Sequence, residues 1–164
     1  MKTLFLIRHA KSSWADASLR DFDRPLNQRG LNDAPKMAKV LKREGHFPDQ
    51  IISSPANRAL TTAKFIADGI GYSKENIKEE EMIYGASVNE MMQLINGLNN
   101  DCQTVFLFGH NPTFTDLVEY LGDLEIGNLP TCGIVGFQFE VDSWQHLSGG
   151  MGIKIYEDYP KNHR

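Results

Sequence analysis

Four residues that could bind or attack a phosphoryl group each follow a short apolar run in the sequence. They are Arg8, His9, Arg58 and His110. The planar fork of an arginine matches phosphate oxygens, and a neutral imidazole is a nucleophile. If the apolar runs are neighbouring parallel strands, these side chains meet beyond the carboxyl ends of those strands, where such sheets bind ligands. The spacing therefore predicts an oxyanion site, most naturally for phosphate.

The elements that must position these residues alternate between two patterns. Residues 4–7, 51–52 and 105–108 are short continuous apolar runs, which are typical of strands buried on both faces of a parallel sheet. Four stretches between and after these runs carry apolar residues at helical spacing, and they begin near Leu31, Leu60, Val88 and Phe114. This alternation predicts an α/β fold, a three-layer αβα sandwich with a mainly parallel central sheet.

The end of the chain has a different pattern. Apolar residues alternate with others over residues 135–141 and 151–155, which indicates two antiparallel strands near a sheet edge. We expect residues 1–159 to form a single domain and residues 160–164 to be a loose tail.

Several helix starts have recognisable capping residues. Ser54-Pro55 and Asn111-Pro112 are typical of an N-cap followed by proline, and Ser87 to Glu90 form a capping box. The first two helix N-termini would direct free N–H groups toward the predicted anion. Pro35 lies inside the first helical stripe, so this helix either kinks there or begins near Asn32, and we favour the kink.

Composition narrows the class of protein. The 164 residues carry a net charge of −4 and are 41% hydrophobic, which is ordinary for a soluble domain and argues against a general nucleic-acid binder. No apolar run is long enough to span a membrane. The two cysteines form no CxxC pair and the histidines show no metal-ligand spacing, so we expect reduced thiols and no metal site. We expect a cytoplasmic monomer that binds neither nucleic acid nor membrane.

Four motifs resemble those of a known family. Residues 6–10, Leu-Ile-Arg-His-Ala, resemble the RHG-type signature of the histidine phosphatase superfamily. Residues 53–59 resemble its second-arginine segment, residues 109–112 its second-histidine segment, and residues 23–30 a linking motif. Residues 8–14 and 84–87 are most similar to SixA-type phosphohistidine phosphatases. Ala10 replaces the glycine that is common in the superfamily, a small change that this branch tolerates.

The resemblance implies that His9 is the nucleophile and that Arg8, Arg58 and His110 are the other catalytic residues. We expect the arginines to keep His9 neutral and His110 to act as a cation. Arg8, Arg58 and His110 would hold the phosphate oxygens while the phosphoryl group passes to His9 and then to water. The fixed cations would make a metal or other cofactor unnecessary.

Residues that flank the four motif residues have two possible roles each. Lys11 and Ser12 could also bind phosphate, or could belong to the loop surface. Arg24 could line the pocket or pin its loop, and pinning is favoured. Trp14 could wall the pocket mouth or pack in the core.

The leaving group decides between substrates. We expect the family's general-acid position to hold no carboxylate here, since Glu79, Glu80 and Glu81 are more typical of a solvated charge run. A missing acid handicaps alkyl phosphates more than phosphohistidine, so we expect a phosphohistidine phosphatase. The substrate would be a phosphorylated protein or a small phosphorylated metabolite. A small-molecule phosphomonoesterase using the same site is the main alternative, and a phosphate-binding module without turnover or a mutase are others.

Overall fold

The computed structural model describes all 164 residues and contains one six-stranded sheet. The strand order is β3-β2-β4-β1-β5-β6. The four strands from β3 to β1 are parallel, whereas β5 and β6 add antiparallel strands on one side. The strands are β1 (Lys2–Arg8), β2 (Gln50–Ser53), β3 (Lys78–Glu79), β4 (Thr104–Gly109), β5 (Ile134–Phe139) and β6 (Ile153–Asp158).

Four helices cover the two faces of the sheet. They are α1 (Gln28–Arg43), α2 (Asn57–Ile70), α3 (Val88–Asn96) and α4 (Thr113–Gly122). Residues of α1 and α2 share one hydrophobic cluster with Phe5 and Ile7, and residues of α3 and α4 share the other with Leu4 and Leu6. Successive residues of β1 thus face opposite layers, as the pleat of a strand requires. The predicted αβα sandwich and the antiparallel edge are confirmed.

The predicted helix starts have mixed outcomes. The capping box of Ser87 and Glu90 is present. The prediction of Ser54 as an N-cap is wrong, because α2 begins at Asn57 and no side chain caps it. By contrast, the Asn111 side chain does accept an N–H group of the first turn of α4, that of Thr115.

The first helix includes Pro35. It begins at Gln28, so the alternative start near Asn32 is excluded, and Pro35 lies inside the helix as the favoured interpretation required. Asn27 caps it by accepting the N–H of Gly30 at 2.9 Å.

The last residues are folded rather than loose. Residues 160–163 form a 3-10 turn, and Arg164 donates to the buried carboxylate of Asp33 in α1 at 2.9 Å. His163 lies 2.7 Å from Asp158, a buried residue at the end of β6. Sequence composition at a chain end does not reveal such long-range ion pairs, so the expected loose tail was wrong. No helix is both long and apolar enough to cross a membrane.

Gly30 brings α1 into direct contact with the loop that follows β1. A Cβ at this position would lie 2.2 Å from the carbonyl oxygen of Lys11, which is backbone and cannot turn away. We therefore expect Gly30→Ala to lower the free energy of unfolding by about 1–3 kcal/mol, as overpacking does. Chemical denaturation measures this change.

Gly97→Ala is the matched control, since a Cβ there would meet its nearest atom at an ordinary 3.4 Å and the backbone φ is −95°. Equal stability of the two alanine variants would contradict the close approach at Gly30.

Candidate active site

The sheet brings the four residues of the predicted oxyanion site together. β4 lies between β1 and β2, so the carboxyl ends of these strands are adjacent. Arg8 ends β1 and His9 follows it, His110 follows β4, and Arg58 lies in the first turn of α2. All four side chains line one cavity of about 230 Å³. The cavity therefore lies at the sheet edge that the sequence predicted.

The local geometry sets the tautomer of His9. Its Nδ1 lies 2.7 Å from the carbonyl oxygen of Ala10, which can only accept, so Nδ1 carries the hydrogen and donates it. Nε2 consequently keeps its lone pair when the ring is neutral. The side chain is buried, with 7% of the residue exposed, and its ring centroid lies 5.3 Å from that of His110. A free lone pair on Nε2 is what a nucleophilic imidazole needs.

Burial is the main reason that His9 stays neutral. The pKa of His9 is lowered to about 3, mainly by desolvation and to a smaller extent by electrostatic repulsion from His110, Arg58 and Arg8, against an opposing hydrogen bond to Ala10. From the sequence we expect the arginines to keep this ring neutral. The structure adds that the buried position of the ring contributes more than either guanidinium.

The two arginines keep hydrogen-bond donors free. Arg8 donates from Nη1 to the carbonyl oxygen of Leu129 at 3.1 Å, and Arg58 donates only to Asp21. The Nε atoms of both arginines are buried and have no partner within the protein. Since buried donors are rarely left unpaired, these atoms indicate that the cavity is built for an acceptor such as an oxyanion.

His110 differs from the cation that we expected. Burial, with smaller contributions from the charges of Arg58 and Arg8, lowers the pKa of His110 to about 4, while Asp21 opposes them. The ring is therefore neutral at pH 7. Its Nε2 lies 2.8 Å from Ser54 Oγ, and its Nδ1 is buried without a partner. In the tautomer in which Ser54 donates to Nε2, Nδ1 carries a hydrogen available to an anion.

The depressed pKa values of His9 and His110 predict how stability depends on pH. Below the ordinary histidine pKa of 6.5, these two histidines bind protons in the unfolded chain but not in the folded protein. The free energy of unfolding therefore falls as pH falls toward about 4. Each buried imidazole contributes a slope of up to about 1.4 kcal/mol per pH unit. Denaturation of the wild type between pH 7 and pH 5 measures the loss.

A variant carrying both His9→Gln and His110→Gln should lose less stability over this range, whereas His146→Gln, an exposed control, should behave like the wild type. An unchanged slope in the double variant would show that these two rings are not the buried neutral groups.

The flanking residues divide by exposure. Lys11 is exposed and lines the cavity, and Ser12 also lines it while its Oγ accepts from Arg24 at 3.0 Å. Arg24 further donates to the carbonyl oxygen of Ser13 and to Asp21, so it pins the loop as well as lining the cavity. Trp14 is 75% exposed and stacks on the Arg24 guanidinium at 3.5 Å, which excludes core packing for Trp14.

A second cavity of about 470 Å³ adjoins the first through Arg58, His110 and Asn111. It is also lined by Tyr84 and Ala86. No carboxylate lines either cavity, and Glu79 to Glu81 belong to neither. The arrangement can therefore bind a phosphoryl group and attack it, without a carboxylic acid beside the leaving group.

Two residues of the site were missed from the sequence. Thr62 is fully buried, accepts the N–H of Ala10 at 2.9 Å and donates to the carbonyl oxygen of Arg58. Its position four residues after Arg58 is the only signal that the sequence offers. Asp21, which holds Arg58, lies just before the motif at residues 23–30 and has no sequence signal of its own.

Comparison with known proteins shows which family the sequence matches. Residues 4–93 match the family model described as histidine phosphatase superfamily, branch 1. An uncharacterised chloroplastic protein of Arabidopsis thaliana is 33% identical over 94% of this chain and 75% of its own length.

Two solved structures of SixA proteins share the fold. The SixA protein from Agrobacterium tumefaciens has a TM-score of 0.80 and 27% identity, covering 97% of this chain and 98% of its own. The protein histidine phosphatase SixA in complex with tungstate has a TM-score of 0.84 and 21% identity, with 99% of each chain covered.

Proposed function

The chain belongs to the histidine phosphatase superfamily and, within it, to the SixA-type branch, and we propose that it hydrolyses phosphohistidine through a covalent intermediate on His9. One observation carries this proposal. His9 is a buried, neutral imidazole whose Nδ1 is fixed as a donor to Ala10, and it lies in a cavity lined by Arg8, Arg58 and His110. A nucleophile with a free Nε2 and a cationic surround are what phosphoryl transfer to histidine requires.

The first step transfers the phosphoryl group to the enzyme. The lone pair of His9 Nε2 forms a bond to phosphorus while the phosphorus–nitrogen bond of the substrate breaks. The substrate ring, protonated at its other nitrogen, takes the electron pair and leaves as a neutral imidazole. The phosphorylated His9 ring keeps its hydrogen on Nδ1, where Ala10 accepts it. Arg8, Arg58 and His110 stabilise the charge on the equatorial oxygens.

The second step returns the enzyme to its starting state. Water attacks the phosphorus, the bond to Nε2 breaks, and the electron pair returns to Nε2. Both hydrogens of the water leave with the released phosphate, so His9 is again neutral with Nδ1 protonated. Because two guanidinium groups supply fixed positive charge, the proposed mechanism uses neither a metal ion nor another cofactor.

The lining of the cavities favours phosphohistidine as the substrate. An alkoxide leaves poorly unless an acid donates a proton, whereas a protonated imidazole leaves readily. Neither cavity offers a carboxylic acid. The ionised Asp21 cannot act as one, because the hydrogen bond from Tyr84 and the hydrogen bond and charge of Arg58 lower its pKa to about 2.

A substrate panel tests the proposal. A phosphohistidine protein, a phosphohistidine peptide, p-nitrophenyl phosphate and phosphoserine should be assayed with and without EDTA. We expect rapid EDTA-insensitive release of phosphate from the phosphohistidine substrates and much slower release from phosphoserine. Strong activity on alkyl phosphomonoesters, with none on phosphohistidine, would instead support the phosphomonoesterase.

A further inference from the structure

A single carboxylate outside both cavities is connected to three side chains near the active site. Asp21 Oδ2 accepts from Arg58 Nη2 at 2.9 Å and from the Tyr84 hydroxyl at 2.7 Å, and Oδ1 accepts from Arg24 Nε at 3.2 Å. Asp21 lies in a 3-10 turn at Asp21–Asp23, and its side chain is 48% exposed. The carboxylate joins the loop after β1, the first turn of α2 and the segment before α3.

Asp21 makes every hydrogen bond that the Arg58 guanidinium has within the protein. In addition to the contact with the carboxylate, Arg58 Nη1 donates to the Asp21 carbonyl oxygen at 2.7 Å. A guanidinium has five N–H groups, and two are used here. Three N–H groups therefore remain, and the buried Nε is among them. Two contacts on one residue fix both the position and the rotation of the fork.

Only a carboxylate suits this position. Its two oxygens face three donors, from Arg58, Tyr84 and Arg24, and an ionised carboxylate is an acceptor alone. Tyr84 is itself held by an edge contact with Phe22 at 5.2 Å between ring centroids, and its ring lies 5.5 Å from that of His110. Asp21 thus sets the orientation of Arg58 from behind the site.

We propose that Asp21 is a positioning residue that acts through Arg58, holding the guanidinium so that its unpaired N–H groups address the phosphoryl oxygens. This inference rests on the proposed function for its effect on turnover. Asp21 itself touches neither cavity. Its loss leaves Arg58 charged and present but free to rotate.

Asp21→Asn tests the proposal, because an amide has one oxygen and one donor group and cannot accept from all three neighbours. Asp23→Asn is the matched control, since it removes the same charge from the same turn. Asp23 pairs with the exposed Arg20 at 2.9 Å, and its carboxylate makes no contact with Arg58. Two readouts should be taken with each variant, kcat on a phosphohistidine peptide and the affinity for sodium tungstate by calorimetry.

The two readouts separate positioning from charge. Removing a negative charge should by itself strengthen anion binding, so Asp23→Asn should bind tungstate as tightly as the wild type or slightly more tightly. Asp21→Asn should bind it roughly tenfold more weakly, because a charge-assisted donor is misplaced. We expect kcat to fall by tenfold to on the order of 10² in Asp21→Asn and to be unchanged in Asp23→Asn.

A double-mutant cycle shows whether Asp21 acts through Arg58. In an Arg58→Ala background, Asp21→Asn should cause little further loss of tungstate affinity. Tyr84→Phe removes one hydrogen bond from the carboxylate. It should lower both the tungstate affinity and kcat, by smaller factors than Asp21→Asn does. This variant tests the proposal if Asp21→Asn does not fold.

The proposal is overturned if Asp21→Asn binds tungstate as tightly as Asp23→Asn does. It is also overturned if Asp21→Asn lowers the tungstate affinity by the same factor in the Arg58→Ala background as in the wild type. A wild type that turns over no phosphorylated substrate would refute the proposed function, and the tungstate affinities would still decide the role of Asp21.

Discussion

The His9→Ala protein should release no measurable phosphate from a phosphohistidine peptide, with kcat reduced by roughly 10⁴-fold or more. The reason is chemical, since the proposed reaction has no route to water except through a bond to Nε2 of His9. The cationic surround should persist, because Arg8 keeps its bond to Leu129 and Arg58 keeps its bonds to Asp21. Tungstate binding by the variant, measured by calorimetry, shows whether the cavity remains intact.

An exposed histidine provides the control for this loss. His146→Ala should retain wild-type turnover, because the side chain lies on the surface away from both cavities. If His9→Ala kept more than about a hundredth of wild-type kcat while binding tungstate, direct attack by water would be the main route, and the covalent mechanism would be wrong.

The second large effect concerns Arg58. Arg58→Ala should lower kcat by about 10²–10³-fold, which is the usual result of removing one preorganised donor to a developing oxyanion. Arg58→Lys should recover only part of this loss. Lysine restores the positive charge but has no planar fork, so it cannot grip Asp21 at two points and also face the phosphate. Steady-state kinetics on the phosphohistidine peptide gives both values.

Arg20 is the arginine control for this experiment. It lies next to Asp21 in the loop after β1, its side chain is 77% exposed, and its one ion pair is with Asp23. Arg20→Ala should change kcat by less than about twofold, in line with the small energy of an exposed ion pair. Equal losses in Arg20→Ala and Arg58→Ala would mean that the general charge of this face, not the placement of Arg58, assists the reaction.

Much of this site could be predicted because the carboxyl ends of neighbouring parallel strands lie at the same edge of the sheet. The apolar runs before His9 and His110 mark β1 and β4, and these strands pair in register from Thr3 with Thr104 to Arg8 with Gly109. Their following residues must therefore be neighbours. Arg58 was predictable for the same reason, since β2 pairs with β4 and α2 begins shortly after it.

Other features depend on contacts that no local pattern encodes. The hydrogen bonds between Arg58 and Asp21 join residues 37 positions apart, and Asp21 lies in a turn with no apolar periodicity. The neutral state of His110 follows mainly from burial, and the depth of a side chain in a folded cavity cannot be read from its neighbours in sequence. The folded end of the chain has the same cause, since Arg164 finds Asp33 at a separation of 131 residues.

The covalent intermediate itself is the most direct test. A phosphohistidine peptide carrying radioactive phosphate should be mixed with the protein, quenched in alkali within milliseconds to seconds, and the label located by proteolysis. We predict a label on His9 that is stable in alkali and labile in acid, absent from His9→Ala, and formed and lost at least as fast as turnover. Rapid release of phosphate with no label on His9, or with the label on another residue, would contradict the mechanism.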